Sequence, residues 1–272
     1  MGQLHKRTGG AVVTAAAVGL LAVATGCSGS GAAADDNPSA EDSVDAVRGS
    51  ADSLVRAGSA KARTSMEMAS GGTRVTIRGH GSYDFKRQLG RFVVVLPKDP
   101  AGTEEHRPIT ELMAGGALYM KNRGAGVPSD KWVRIDTASL SDGNLVTGGA
   151  TDPLAAAELL RGVSKATYVE ETRVAGVKVR HFRGRADLPR AARSASQGQR
   201  KALGAAAKGF SKGGVPFDAY LDEQGRLRKL RQQFSVSNAE VASTTLLFDF
   251  GVKVDVRLPA SEDIFAGKIA EQ

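Results

Sequence analysis

The sequence predicts an α+β protein: a large curved antiparallel sheet of about ten or eleven strands, covered on one face by a few modest helices. Three observations carry this. Stretches of period-two alternation recur along most of the chain, separated by Gly- or Asp-containing turns of hairpin length. Helical periodicity is confined to a segment near residue 40, a short one after residue 152 and an Ala/Arg/Lys-rich one over 186–208. The 272 residues are 41% hydrophobic and 24% charged, which supports a sizeable core and excludes compositional disorder and a multi-span membrane protein.

Taken in order, the first helix begins near Ser39. Glu41 and Asp42 suit the positive end of its dipole, and Val44, Val47, Ala51, Leu54 and Val55 form a narrow apolar stripe. Ser70-Gly71-Gly72-Thr73 is a hairpin turn, after which Val75, Ile77, Tyr83 and Phe85 alternate with polar residues. Strands follow at 91–96, 109–113, 117–121 and 131–136, with the turn Gly115-Gly116 between the second and third. Residues 141–151 are a glycine-rich loop. Asp152-Pro153 opens a short helix with an N-cap and a proline at its first position. Residues 167–172 and 177–184 form a hairpin about Val174-Ala-Gly176, and 186–208 is a surface helix opening at Asp187. Residues 215–221 and 227–236 form a hairpin about Asp222-Glu-Gln-Gly225. The last strand carries Leu246, Phe248, Phe250, Val252, Val254 and Val256 on one apolar face, and a short helix follows Ser261.

Ahead of this domain, Lys6 and Arg7 precede a 14-residue apolar run, Ala11 to Ala24. A bilayer-spanning helix needs about 20 such residues, so the run has the length of a signal-peptide core. It ends in Ala24-Thr25-Gly26-Cys27, which resembles the lipobox of bacterial lipoproteins, with Ala24 where Leu is usual. The resemblance implies a diacylglycerol on the Cys27 sulfur and cleavage just before it. The expected organisation is 1–26 signal peptide, 27–38 flexible tether and 39–272 a single domain. The chain would be lipid-anchored on the extracytoplasmic face of the cell membrane, held there through the Cys27 lipid. The alternative is an ordinary secreted protein with an incidental thiol, which an oxidising compartment makes a liability. Cys27 is the only cysteine, which excludes an intramolecular disulfide and a Cys-based zinc site. The net charge of +8 falls to +6 once Lys6 and Arg7 are removed, a modest excess suited to an anionic surface.

Catalytic patterns are missing. His80, His106 and His181 are far apart and show no HExxH spacing, and neither GxSxG nor SxxK occurs. Gly124-Ala-Gly126 and Gly148-Gly149 lack the Lys-Ser/Thr of a phosphate loop. Asp136 and Asp222 are the one carboxylate pair of interest, and Asp222 is more simply the first residue of a turn. The basic stretch 185–212 lacks the interleaved aromatics that stack on bases. The expectation is a non-enzyme with no catalytic residue, no metal, no cofactor and no nucleic-acid partner.

Several local patterns, in order, resemble the actinobacterial LppX/LprG-type lipoprotein family, whose fold is LolA/LolB-like. They are Gly81-Ser-Tyr-Asp-Phe85, Ala117-Leu-Tyr-Met-Lys121, Lys131-Trp-Val-Arg-Ile-Asp136, Asp152-Pro153-Leu154, Val174-Ala-Gly-Val177 and Val215-Pro-Phe-Asp-Ala-Tyr-Leu-Asp222 with Gly225-Arg-Leu-Arg228. The resemblance implies a half-barrel with helices on its concave face and a lipid or other hydrophobic ligand between sheet and helices, carried onward in some members. A membrane transporter is then a candidate partner. By position and alternation, the candidate cavity residues are Val75, Ile77, Phe92, Val94, Leu230, Phe234, Phe248 and Phe250. The competing readings are a cell-surface scaffold or sensor with a filled core, and a hydrolase whose site has no linear signature.

Overall fold

A computed structural model describes residues 38–70, 72–97, 107–124, 126–146, 150–210, 214–236 and 239–267. Cys27, the signal segment, nearly all of the tether and His106 lie outside these residues.

Eleven strands pair in one unclosed sheet, every pairing antiparallel. They are β1 (Ser59–Ser70), β2 (Thr73–Asp84), β3 (Leu89–Val95), β4 (Ile109–Ala114), β5 (Ala117–Lys121), β6 (Trp132–Asp136), β7 (Val163–Val174), β8 (Val177–Ala186), β9 (Val215–Leu221), β10 (Leu227–Val236) and β11 (Ala239–Phe248). Their order, β6-β5-β4-β3-β2-β1-β11-β10-β9-β8-β7, is two meanders joined where the first strand pairs with the last. Among the described residues five helices accompany the sheet: α1 (Ala40–Arg48), α2 (Ser50–Ala57), α3 (Pro153–Leu159), α4 (Leu188–Ser194) and α5 (Gln197–Gly209).

This order places β6 and β7 at opposite edges, ten strand spacings or about 48 Å apart along the sheet. The segment 137–162 must therefore cross one face, and α3 is the middle of that crossing. Anchors along its path trace the route. Tyr83 of β2 donates to Asp152, Ser243 of β11 bonds Thr151, Gln232 of β10 donates to the Ala156 carbonyl, and Arg48 donates to the carbonyl of Val163 where β7 begins. So short a helical crossing reaches both halves only if the sheet curls around it.

The first helix breaks into α1 and α2 at Gly49. Ser39 caps α1 through a capping box with Asp42. The basic stretch divides into α4 and α5 at Ala195-Ser196, and it is more than a surface face: Leu188, Ala191, Ala202, Leu203 and Ala206 are buried.

The final strand departs from the alternation predicted for it. β11 ends at Phe248, and the left-handed backbone of Asp249 (φ 49°) and Gly251 (φ 81°) turns the chain away, so Val252 to Val256 form no strand. The helix-facing side chains are the odd ones, Val241, Ser243, Thr245 and Leu247, all buried. Leu246 and Phe248 face the opposite side. The pattern misleads because the outer face is itself covered here. The tail binds Ser59 through Val252 and Arg87 through Val254, passes beside Arg91 and Leu112, and pairs Ile264 with Trp132.

Candidate functional site

The face that carries the helices is where the sequence predicts a ligand site. Register aligns Val94, Gly79, Thr64, Thr245, Leu230, Ala219 and Phe182 in one row across β3, β2, β1, β11, β10, β9 and β8. The middle of this row is low, and the chain leading into α3 settles over it. A methyl added at Gly79 would stand 3.2 Å from the Ala150 methyl and 2.5 Å from Thr64 Oγ1. Every residue of α3 is buried, and Gln232 of β10 holds the helix to the sheet through the Ala156 carbonyl.

Asp152 caps α3 by accepting from the Leu154 and Ala155 amides at 2.8 and 3.1 Å. At the other end, buried Glu158 accepts from Arg161 Nε at 2.8 Å and from the Ser196 amide at 2.9 Å, while Arg161 also grips Asp52. The hydrogen bonds from Arg161 hold the Asp52 carboxyl below its usual range, against the upward push of burial.

The centre of the hollow is thus occupied by the protein itself. Phe92, Val94 and Leu230 lie at 0–1% exposure beneath the helix layer. A cleft beside Asp152, Ala155 and Gln199 measures only about 10 Å³, room for about one water. One end differs. Val75, Ile77 and Met68 remain half-buried, as do Leu96 after β3 and Phe210 after α5. The Phe210 ring packs 5.0 Å from that of buried Phe234. Of the eight predicted cavity residues, Val75, Ile77 and Phe234 gather at this open end, and Phe92, Val94 and Leu230 belong to the closed centre. Phe248 projects to the opposite face. Phe250 sits beyond the strand beneath the Arg226 and Arg228 guanidiniums, 4.6 and 4.8 Å from its ring centroid.

Glu111 escaped the sequence reading because it sat inside an ordinary-looking strand. It is fully buried on the inner face, opposite Phe92 and Met120, and its carboxyl oxygens lack a hydrogen-bond partner of ordinary geometry. Burial lifts its pKa to about 8, despite the opposing charge of Arg123 and the Ala150 amide.

The outer face of β11, β1, β2 and β3 holds a groove of about 930 Å³ that the sequence reading also missed. Its signal was present: the polar side of these strands carries Lys61, Arg63, Arg78, His80 and Arg91.

The remaining ionisable clusters are structural. Asp222 accepts from its own turn amides and from Arg226 and Arg228, which is the turn role expected of it. Asp136 caps a turn at Ala138, on the far half of the sheet from Asp222. His80 is exposed on the outer face. His181 is buried, stacked 4.3 Å from the Tyr220 ring, with Nε2 2.8 Å from Asp218, which also takes Arg183. Among the described residues no group of three or more His, Cys, Asp or Glu is arranged to hold a metal, and no helix is long and apolar enough to cross a membrane.

No protein-family model and no curated protein sequence matches the chain. Among solved structures its neighbours include two mycobacterial proteins, one of them a lipoprotein. LprF from Mycobacterium bovis is 15% identical with a TM-score of 0.44, covering 83% of this chain and 100% of that one. LppX from Mycobacterium tuberculosis is 12% identical with a TM-score of 0.45, covering 79% and 97%. A LolA-superfamily protein from Nitrosomonas europaea is 10% identical with a TM-score of 0.34, covering 76% and 94%. At these identities the likeness concerns the fold alone.

Proposed function

We propose that the chain is a non-catalytic lipoprotein, anchored through Cys27 on the outer side of the cell membrane, that binds lipids or other hydrophobic molecules. The binding place is the open end of the inner face and not a deep central cavity. One observation supports this above the others: Met68, Ile77, Leu96 and Phe210 stay half-buried where they pack against the buried core, and half-buried Val75 lies opposite Met68. An acyl chain laid there would complete their burial, worth about 25 cal/mol per Å² of apolar surface. In this role the chain either holds its ligand or passes it to a membrane transporter.

The test is photocrosslinking in cells with a diazirine fatty acid, on the full chain carrying Cys27→Ser so that its own anchor contributes no label. Crosslinks on peptides containing 66–77 and 210 are expected, and Ile77→Asp should remove most of them. Absence of label at these peptides, with the protein folded, refutes the reading. A second reading, a scaffold acting through protein contacts, draws on α3 filling the centre. It predicts a protein crosslink and no lipid at the open end.

A further inference from the structure

The outer groove asks for a ligand of its own. Its cations converge from four directions: Arg63 from β1, Arg78 from β2, Arg91 from β3 and Lys253 from the tail, with His80 between them. Register spaces them along the groove, with Arg78 and Arg91 two residue steps to either side of the Arg63–His80 pair. His80 lies opposite Arg63 on one side and Val93 on the other, Arg78 opposite Ser65, and Arg91 opposite Ser82. Arg78, Arg91 and Lys253 have no ion-pair or hydrogen-bond partner among the described residues. Among the described residues no carboxylate lines the groove. Asp249 at its margin is taken by Lys61 at 2.9 Å, and Glu67 and Asp255 lie outside the lining.

The floor is low, made of Ser65, Gly79, Gly81, Ser82 and Thr244, so the charged side chains stand as a rim around open space. Along β11 and the tail runs an apolar wall of Leu246, Phe248 and Val252, with Val93 of β3 at the opposite side, and the Arg63 guanidinium stands 5.2 Å over the Phe248 ring. A purely anionic ligand would leave that wall wet, and a purely apolar one would leave the guanidiniums unmatched.

We infer that this groove binds a single anionic amphiphile, a lipid whose phosphate head sits among Arg63, Arg78 and Arg91 and whose chain lies against Leu246, Phe248 and Val252. Guanidiniums pair phosphate oxygens through short charge-assisted hydrogen bonds, and the volume is within the range that encloses one lipid-sized ligand. The site is separate from the open end of the inner face, because the sheet itself lies between them.

The experiment is calorimetric titration of the full chain (Cys27→Ser) with monomeric dihexanoyl phosphatidic acid, dihexanoyl phosphatidylcholine and inorganic phosphate. Phosphatidic acid should bind at least about tenfold more tightly than either comparator. Arg78→Ala with Arg91→Ala should weaken it by about tenfold or more. Leu246→Ser should erase its advantage over phosphate. Ile77→Asp, which disables the inner end, should leave this binding intact, so the two readings fail separately. Phosphate binding as tightly as the lipid would leave only an anion site. Equal binding of both lipids, unmoved by the arginine substitutions, would leave only a greasy surface. Binding confined to anionic vesicles, or displaced by an acidic peptide that outcompetes the lipid, would make this a docking face. Each of these overturns the inference.

Discussion

The same four strands, β11, β1, β2 and β3, present two opposite surfaces. Inward they offer Gly79, Thr64, Thr245 and Ser243, small groups covered by the chain leading into α3, where Ala150 stands over Gly79 and Thr151 bonds Ser243. Outward, one residue away along each strand, they offer Arg78, Arg63, Leu246 and Thr244 around about 930 Å³ of space. Apolar character alone does not separate them, since the inner face has hydroxyls at its middle and the outer face has Leu246 and Phe248. What separates them is what the rest of the chain lays on top. The 137–162 crossing is obliged by topology to cover the inside, whereas the tail covers only part of the outside.

Substitutions on the two surfaces should therefore behave unlike one another. The largest effect is expected from Arg161→Ala, which strands buried Glu158 and unpins α3. Denaturant unfolding should show a loss of about 3–5 kcal/mol. Next comes Glu111→Gln. The unfolded chain releases this proton near pH 4.5, while the folded chain holds it to about 8. Over that interval the unfolded state binds fewer protons, so stability falls as pH rises. The substitution should flatten that slope and stabilise the protein by about 2–4 kcal/mol at pH 8, measured as unfolding free energy at a series of pH values. Gly79→Ala should follow at about 1–3 kcal/mol destabilising, because the added methyl meets Thr64 and Ala150. The smallest effect belongs to the outside: Arg78→Ala and Arg91→Ala should each change the unfolding free energy by no more than about 0.5 kcal/mol. A large loss from either arginine, or none from Gly79→Ala, would erase the distinction between the two surfaces.

Much of this architecture was legible from local chemistry. Gly115-Gly116 and Ala175-Gly176 have the positive φ that hairpin turns of this kind require, and Asp152-Pro153 and Asp187 do begin helices. What stayed hidden was long-range. Nothing near residue 137 tells that β6 and β7 will be opposite edges, so the crossing and the filling of the hollow could not be read. Leu246 and Phe248 alternate cleanly, yet alternation separates two faces without saying which one meets the helices. Phe92, Val94 and Leu230 look the same in sequence whether they line a cavity or a solid core. Arg63, Arg78 and Arg91 lie on three strands, and only the pairing of those strands sets them around one groove.

The seam between the meanders has a consequence for how the molecule is made. β1 is flanked on one side by β11, nearly 180 residues later in the chain. Until that final strand has been synthesised, the first hairpin carries an open row of amides and carbonyls able to recruit any passing strand. The exposed Lys61, Arg63 and Glu67 along β1 are the kind of charges that discourage such pairing during the wait. Assembly is completed only by a contact of very high sequence separation, so the protein should fold slowly for its size, and truncation anywhere before Phe248 should leave two half-sheets without a closing partner.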